Sequence, residues 1–179
     1  FTDLHLCPLN HIPQSRTDSY HKDIADELLL LKNQIAAENA DAVVFSGDLF
    51  HLKNQAAYSP KDLNYYYEIL KDFPKFYCIP GNHDLPKSSL ANLKDSPYSN
   101  LLLSLPNMQD VSFPNTISIP ISEGKTFHTF KVIGIPYIPI NVFKDTLTNL
   151  FDKFDFREPG VMYGFLVHVD ALPEPLLVN

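Results

Sequence analysis

Apolar residues recur along the chain with two different periods, which predicts alternating helices and strands. Between Tyr20 and Asn39 they lie three and four positions apart, and this spacing places them on one face of an amphipathic helix. The following run AVVF, at 42–45, is apolar and β-branched and ends at the polar residues SGD, as a buried strand does. A helix followed by a buried strand indicates an α/β unit.

The next segment repeats this order. The sequence SPKD at 59–62 contains a helix-start signal, with Ser as N-cap, Pro at the first helical position and an acid three residues after the cap. An apolar run from Phe76 to Ile79 predicts the next buried strand. Between 87 and 106 the Ser, Asn and Pro content indicates loops, with one short helix at Asn100–Leu105.

The pattern changes in the last third of the chain. TISIPI at 116–121 and TFHTFKVIGI at 126–135 read as strands on either side of a turn, SEGK at 122–125, so they predict a hairpin. Helical spacing returns from Asn141 to Phe154. GFLV, immediately before His168, predicts a final short strand.

Composition narrows the class of protein. With 179 residues, 45% of them hydrophobic and 20% charged, we expect one globular domain over residues 1–179. The sequence contains neither a signal peptide nor an apolar run of about 18 residues, so we expect a cytoplasmic protein that does not bind membranes. Two cysteines, Cys7 and Cys78, are too few for a disulfide framework, and we expect reduced thiols.

The net charge of −7 argues against a domain that holds nucleic acid by its own basic surface. Only two arginines, Arg16 and Arg157, are present to bind phosphate in a bidentate way. An anionic substrate would therefore need positive charge from metal ions or from a partner chain.

Side chains of the types that bind metals follow each of four predicted strands, the first of which is Phe1-Thr2. Ligands collect at the carboxyl ends of parallel strands, so residues far apart in sequence can converge there. Carboxylate, imidazole and amide oxygen together suit divalent ions such as Mn, Fe or Zn. These candidates are Asp3, His5, Asp48, Asn82, His83 and His168.

Three short motifs follow one another along the chain: D-x-H in TDLHL, G-D in SGDLFH, and G-N-H-D in PGNHD. In this order and separation they resemble the calcineurin-like metallophosphoesterase superfamily, over Phe1 to about Asp170. The resemblance implies an α/β fold, arranged as a four-layer α/β/β/α sandwich. GDLFH, IPGNHDLP and Arg16 upstream of the first helix are most similar to the SbcD-type DNA exonucleases, the nuclease subunits of double-strand-break repair complexes.

The resemblance also implies a dimetal centre. Asp3 and His5 would bind one metal, Asp48 would bridge both, and Asn82 and His168 would serve the second. Two divalent ions, Mn in the first place with Fe or Zn as alternatives, would hold a bridging hydroxide that attacks phosphorus.

Two further residues take catalytic roles by the same resemblance. His83 would face the substrate phosphate and stabilise the transition state or protonate the leaving oxygen, while Asp84 would orient its imidazole. His51, in GDLFH, is a candidate for substrate binding, with a supporting or surface role as the alternative. Alternation alone explains His128, and His11 lies in a polar loop where we expect it to face solvent.

One motif of the family does not occur: the closing G-H-x-H, whose histidines complete the metal shells. The chain begins without Met and ends on an apolar run, so we expect that it is cut at both ends and that the motif follows Asn179. The alternative is a degenerate member with weakened metal binding.

These observations predict a metal-dependent phosphoester hydrolase, in the first place an SbcD-like nuclease acting on a DNA phosphodiester. One alternative is a phosphodiesterase or phosphatase for small molecules such as cyclic nucleotides. Another is a non-catalytic scaffold that keeps the fold. The resemblance implies an ATPase partner subunit, and a homodimer is a further expectation.

Overall fold

The computed structural model describes residues 1–12, 19–113, 115–120 and 129–169. Within these residues, none of the helices combines the length and the apolarity needed to cross a membrane. The α-helices are α1 (Tyr20–Ala37), α2 (Pro60–Leu70), α3 (Pro97–Ser104) and α4 (Ile140–Lys153). The strands are β1 (Ala42–Phe45), β2 (Lys75–Cys78), β3 (Met108–Asp110), β4 (Thr116–Pro120), β5 (Thr129–Ile135) and β6 (Val161–Val167).

The six strands form two sheets of three. In the first sheet, β1, β2 and β3 are parallel, with Val43 opposite Phe76 and Phe76 opposite Met108. In the second sheet, β5 lies between β4, which is antiparallel to it, and β6, which is parallel. The helices and two sheets confirm the α/β class, whereas the four-layer order stays a prediction. The antiparallel pairing of β4 with β5 confirms the predicted strand pair; its turn at 122–125 and His128 lie outside the described residues.

Strand periodicity explains how the two sheets are buried. On β2, Phe76 and Cys78 join an apolar cluster with α1, α2 and α3, whereas Tyr77 and the residue that follows the strand, Ile79, join a second cluster with residues of the other sheet. Side chains alternate between the two faces of a strand, so one strand contributes to both clusters. Strand β5 does the same, because Ile133 and Ile135 pack against α4 in a third cluster.

Two of the α-helices, α2 and α3, begin after serine N-caps that accept a backbone hydrogen bond. Ser59 and Asp62 form the capping box of α2, as the sequence predicts. Helix α3 begins at Pro97, three residues before the predicted helix, because Ser96 Oγ accepts a hydrogen bond from the amide of Ser99 at 3.2 Å. The Ser-Pro signal that starts α2 therefore also starts α3. Strand β3 was not predicted, since it has only three residues.

The predicted strand at Phe1-Thr2 is wrong. The amide of Asp3 donates to the carbonyl oxygen of Gly47 at 3.0 Å, and that of His5 donates to Asp48 at 3.0 Å. Both Asp3 and His5, however, have left-handed backbone, with φ of 58° and 47°, which interrupts an extended strand. Phe1 still contacts β1, because its amino group donates to the carbonyl oxygen of Val44 at 3.0 Å and its carbonyl oxygen accepts the amide of Ser46 at 3.0 Å. From Asp3 on, the segment binds the chain after β1 without a regular ladder.

Gly134, in β5, lies tightly against residues that follow β2 and β3 of the first sheet. A Cβ at this position would lie 2.4 Å from Ile79 Cγ2 and 2.5 Å from the carbonyl oxygen of Val111. One of the two atoms that this Cβ would meet belongs to the backbone, which moves aside less readily than a side chain does. At Gly164, in β6, a Cβ would instead meet only the ring of Phe130, at 2.5 Å.

We expect Gly134→Ala to lower the free energy of unfolding by about 1–3 kcal/mol, the usual cost of overpacking a filled core. Gly164→Ala is the matched control, and its effect should be smaller because the half-buried ring of Phe130 can rotate away. Urea denaturation of the two variants and the parent measures the difference. An equal loss in both variants would contradict the close approach of the sheets at Gly134.

Candidate metal centre

The predicted metal ligands come from four places in the chain that converge in the fold. Asp48 follows β1, Asn82 follows β2, His168 follows β6, and Asp3 and His5 lie on the N-terminal segment beside them. The carbonyl oxygen of Ile135, at the end of β5, accepts the amide of His168 at 3.1 Å and so continues the pairing of β5 with β6. The site therefore forms where three strands end, as the parallel arrangement predicts.

Asp48 lies at the centre of this site. Its side chain is buried, with 4% of the residue exposed, and its backbone is left-handed with φ of 59°. One carboxylate oxygen, Oδ2, lies 3.8 Å from Nε2 of His5, and the other, Oδ1, lies 3.5 Å from Nε2 of His168. One carboxylate thus faces two separate imidazoles.

The first group of ligand atoms is formed by Asp3, His5 and Asp48, whose ligand atoms lie within 4.8 Å of one another. The hydroxyl of Thr2 donates to Oδ2 of Asp3 at 2.6 Å and orients that carboxylate. Burial lowers the pKa of His5, although the carboxylate of Asp48 acts in the opposite direction. The neutral imidazole is the form that binds metals, so this group could hold one divalent ion.

The second group is formed by Asn82, His168 and the other oxygen of Asp48. Nδ1 of His168 lies 2.7 Å from the carbonyl oxygen of Ser46, so Nδ1 carries the proton and Nε2 carries the lone pair. Oδ1 of Asn82 lies 3.0 Å from this Nε2, which places acceptor against acceptor. Three acceptor atoms with no proton between them form a donor set that fits a divalent cation.

The amide of Asn82 has a second orientation that satisfies the same atoms without a cation. Turned over, its nitrogen would donate to the two carboxylate oxygens of Asp48 at 3.1 and 3.0 Å and to Nε2 of His168 at 3.0 Å. The same side chain can therefore close the site by hydrogen bonds or offer its oxygen to a metal. A neutral amide does this without adding a charge.

Two glycines allow the loops to approach this closely. A Cβ at Gly81 would lie 2.2 Å from Oδ1 of Asp48 and 2.4 Å from its backbone nitrogen. A Cβ at Gly47, whose φ is 106°, would lie 2.5 Å from Nδ1 of His168. Any larger residue at either position would displace a predicted ligand.

His83 lies beside the first group of ligands. Its amide donates to Oδ1 of Asp48 at 2.8 Å, and its Nδ1 lies 2.8 Å from the carbonyl oxygen of His51. The rings of His83 and His5 meet edge to face, with centroids 4.8 Å apart. The loop thus places the imidazole of His83 next to the metal ligands, with Nε2 left to meet another group.

The structure assigns Asp84 a different contact from the one predicted. Its carboxylate accepts three backbone amides, from Leu49 at 3.0 Å, Phe50 at 2.9 Å and Gly81 at 3.0 Å. The carbonyl of His51, and not Asp84, is the group that meets Nδ1 of the His83 imidazole. Burial raises the pKa of Asp84 to about 7, against the three amides, which favour the charged form.

His51 stands among three other histidines. Its ring centroid lies 5.5 Å from that of His5, 5.7 Å from that of His83 and 5.5 Å from that of His11. Burial lowers the pKa of His51, and the neighbouring His5 acts in the same direction. The structure thus brings His51 to the site and adds His11, for which the sequence had no signal beyond a histidine in a polar loop.

The chain was compared with known proteins. The family model described as calcineurin-like phosphoesterase matches residues 1–165, out of 179. No curated protein matches the chain. The matched range contains the predicted ligands from Asp3 to Asn82 as well as His83, whereas His168 follows it.

Asp84 provides a test of how the two loops are held. In Asp84→Asn, the side-chain nitrogen would oppose a backbone amide that the carboxylate now accepts, so we expect a loss of about 1–3 kcal/mol in the free energy of unfolding. Asp72→Asn is the control and should change stability much less, because its ion pair with Lys32 is exposed. Chemical denaturation of both variants measures this, and equal stabilities would refute the role given to Asp84.

Proposed function

Because the chain belongs to the calcineurin-like phosphoesterase family, we propose that it hydrolyses phosphoesters with two divalent metal ions. The observation that carries the proposal is the carboxylate of Asp48, which directs one oxygen toward His5 and the other toward His168. Asp3 completes the first set of ligands and Asn82 the second. A carboxylate between two groups of ligands is what a pair of metals needs as its bridge.

The ligand types support Mn, with Fe or Zn as alternatives, because carboxylate, imidazole and amide oxygen lie between hard and soft donors. When bound, the metal pair would supply positive charge to the phosphate and lower the pKa of a water molecule. The protein's own part is to hold the ligands in their binding forms. The carbonyl oxygen of Ser46 does so for His168 by accepting a hydrogen bond from Nδ1, which directs the lone pair of Nε2 toward the metal site.

We propose that His83 contacts the phosphate group of the substrate. Its Nδ1 donates to the carbonyl oxygen of His51, so Nε2 is the atom that can meet a phosphate or leaving oxygen. To donate a proton from Nε2 to the leaving oxygen as well, the imidazole must carry a proton on both nitrogens. We propose that His51, whose ring stacks at 21° to that of His83, contacts the same phosphate.

Within the family we propose a DNA phosphodiester as the substrate, since GDLFH and IPGNHDLP resemble the SbcD-type nucleases. The net charge of −7 means that this chain alone would bind long DNA weakly, because both carry negative charge. We therefore infer that positive charge comes from the metal pair and from a partner chain. An ATPase partner subunit, implied by the same resemblance, would supply that surface.

The bridging role is tested with Asp48→Asn. We expect this variant to bind less metal and to lose at least about 100-fold in Mn-dependent turnover of a chromogenic phosphate bis-ester, since even residues outside the ligand shell contribute 10–100-fold. Metal content after equilibrium dialysis and the hydrolysis rate are measured together. Asp26→Asn, on the exposed face of α1, is the matched control and should keep both. Unchanged metal content and turnover in Asp48→Asn would refute the proposal.

The substrate is tested by comparing three classes with the same protein and Mn concentration. We expect cleavage of single-stranded DNA, because the DNA phosphodiester is the proposed substrate. Turnover of a cyclic nucleotide and a bis-ester without any cleavage of DNA would instead favour a small-molecule phosphodiesterase. Less than one bound ion per chain, with no turnover of any substrate, would favour a non-catalytic scaffold.

A further inference from the structure

A second group of metal-binding side chains lies beside the proposed dimetal centre and uses none of its five ligands. Cys7, His11 and His51 place one ligand atom each within 4.8 Å of one another. We propose that these three residues form a separate binding site for a thiophilic divalent cation such as Zn²⁺. The site shares His51 with the phosphate contact proposed above, but its test does not require turnover.

The backbone brings the three residues together. The amide of His51 donates to the carbonyl oxygen of Leu6 at 3.0 Å, which sets His51 next to Cys7. The amide of His11 donates to the carbonyl oxygen of Pro8 at 2.8 Å, and this turn returns the chain toward the same place. The rings of His11 and His51 then lie 5.5 Å apart.

The loop that carries Cys7 and His11 is held by helix α2. The buried hydroxyl of Tyr66 donates to the carbonyl oxygen of Cys7 at 2.6 Å. The amide of Leu9 donates to Oδ1 of Asp62 at 2.8 Å, and Asp62 is itself part of the α2 capping box. Two contacts with one helix therefore fix the loop, so the ligands are positioned before any cation binds.

The donor chemistry separates this site from the dimetal centre. One thiolate and two imidazoles select Zn²⁺ or Co²⁺ over Mn²⁺, which prefers oxygen. Zinc binds sulfur at about 2.3 Å and nitrogen at about 2.0–2.1 Å, so one sulfur and two nitrogens in tetrahedral positions lie roughly 3.3–3.6 Å apart. The three donor atoms lie within 4.8 Å of one another here, so we expect a bound cation to draw them closer together. With three protein ligands, the fourth position remains for water or another small ligand.

The ring nitrogens of both histidines are available for this role. Over the residues that the structure describes, neither His11 nor His51 forms a hydrogen bond through its ring. The thiol of Cys7 is fully buried and donates only weakly, to the carbonyl oxygen of His5 at 3.4 Å. Three ligands of two types, a thiol and two imidazoles, therefore meet with no competing strong hydrogen bond, which is how a preformed cation site differs from a packed core.

The test uses the whole chain saturated with Mn²⁺ and then titrated with Co²⁺. Cobalt bound by a thiolate gives a charge-transfer absorption in the near ultraviolet, whereas cobalt that replaces Mn at oxygen and nitrogen ligands does not. We expect this absorption to saturate at one Co²⁺ per chain and to disappear in Cys7→Ser. Cys78→Ser changes the other buried cysteine and should keep the absorption.

His11→Gln is the second variant, used because the imidazole is only half-buried and its loss should leave the fold intact as judged by circular dichroism. We expect it to weaken Co²⁺ binding at least about tenfold, as a lost ligand does. Absence of the thiolate absorption in the parent protein, its persistence in Cys7→Ser, or unchanged affinity in His11→Gln would each overturn the proposal. None of these readouts depends on phosphoester hydrolysis, so the two proposals fail separately.

Discussion

The buried carboxylate of Asp84 is the contact on which the geometry of the site depends. Its two oxygens accept amides from Leu49 and Phe50, in the loop after β1, and from Gly81, in the loop after β2. Burying a carboxylate without such donors would cost folding free energy. The three hydrogen bonds to backbone amides offset this cost and hold the two loops together. Asp48 and Asn82 lie on these loops, so the spacing of two predicted ligands follows from a residue that touches neither metal group.

The backbone near the Asp84 carboxylate is strained, as is common at binding sites. Asp3, His5 and Asp48 all have a left-handed φ. For each non-glycine residue this conformation costs about 1–3 kcal/mol of folding free energy. The amides of Asp3 and His5 donate to the carbonyls of Gly47 and Asp48, and these bonds hold the conformation in place. The left-handed backbone therefore sets the directions of three predicted ligands, which an extended strand would alternate between its two faces.

Clustered histidine side chains are the second main component of the site. His5, His51 and His83 place their ring nitrogens within 4.8 Å of one another, and His11 lies against His51. Burial lowers the pKa of both His5 and His51, which favours the neutral form of these two imidazoles, the form that binds metals. The fold of this acidic chain therefore gathers imidazoles and carboxylates in one place.

The sequence by itself determined the α/β class, the approximate extents of α1, α2, α4 and β1, and the three motifs that show the family. These follow from local rules: periodicity, Ser-Pro caps and residue types at strand ends. The convergence of Asp48 with His168 was expected from parallel strands, but the distances between them come only from the folded chain.

Only the tertiary structure decided what Asp84 and His11 contact. In the tight turn at 81–84, neighbouring side chains point in different directions, so Asp84 meets the loop after β1 while His83 faces the carbonyl of His51. His11 reaches His51 through a loop fixed by Tyr66, a contact across 59 residues from Cys7. Such contacts depend on long-range packing, and no local pattern in the sequence records them.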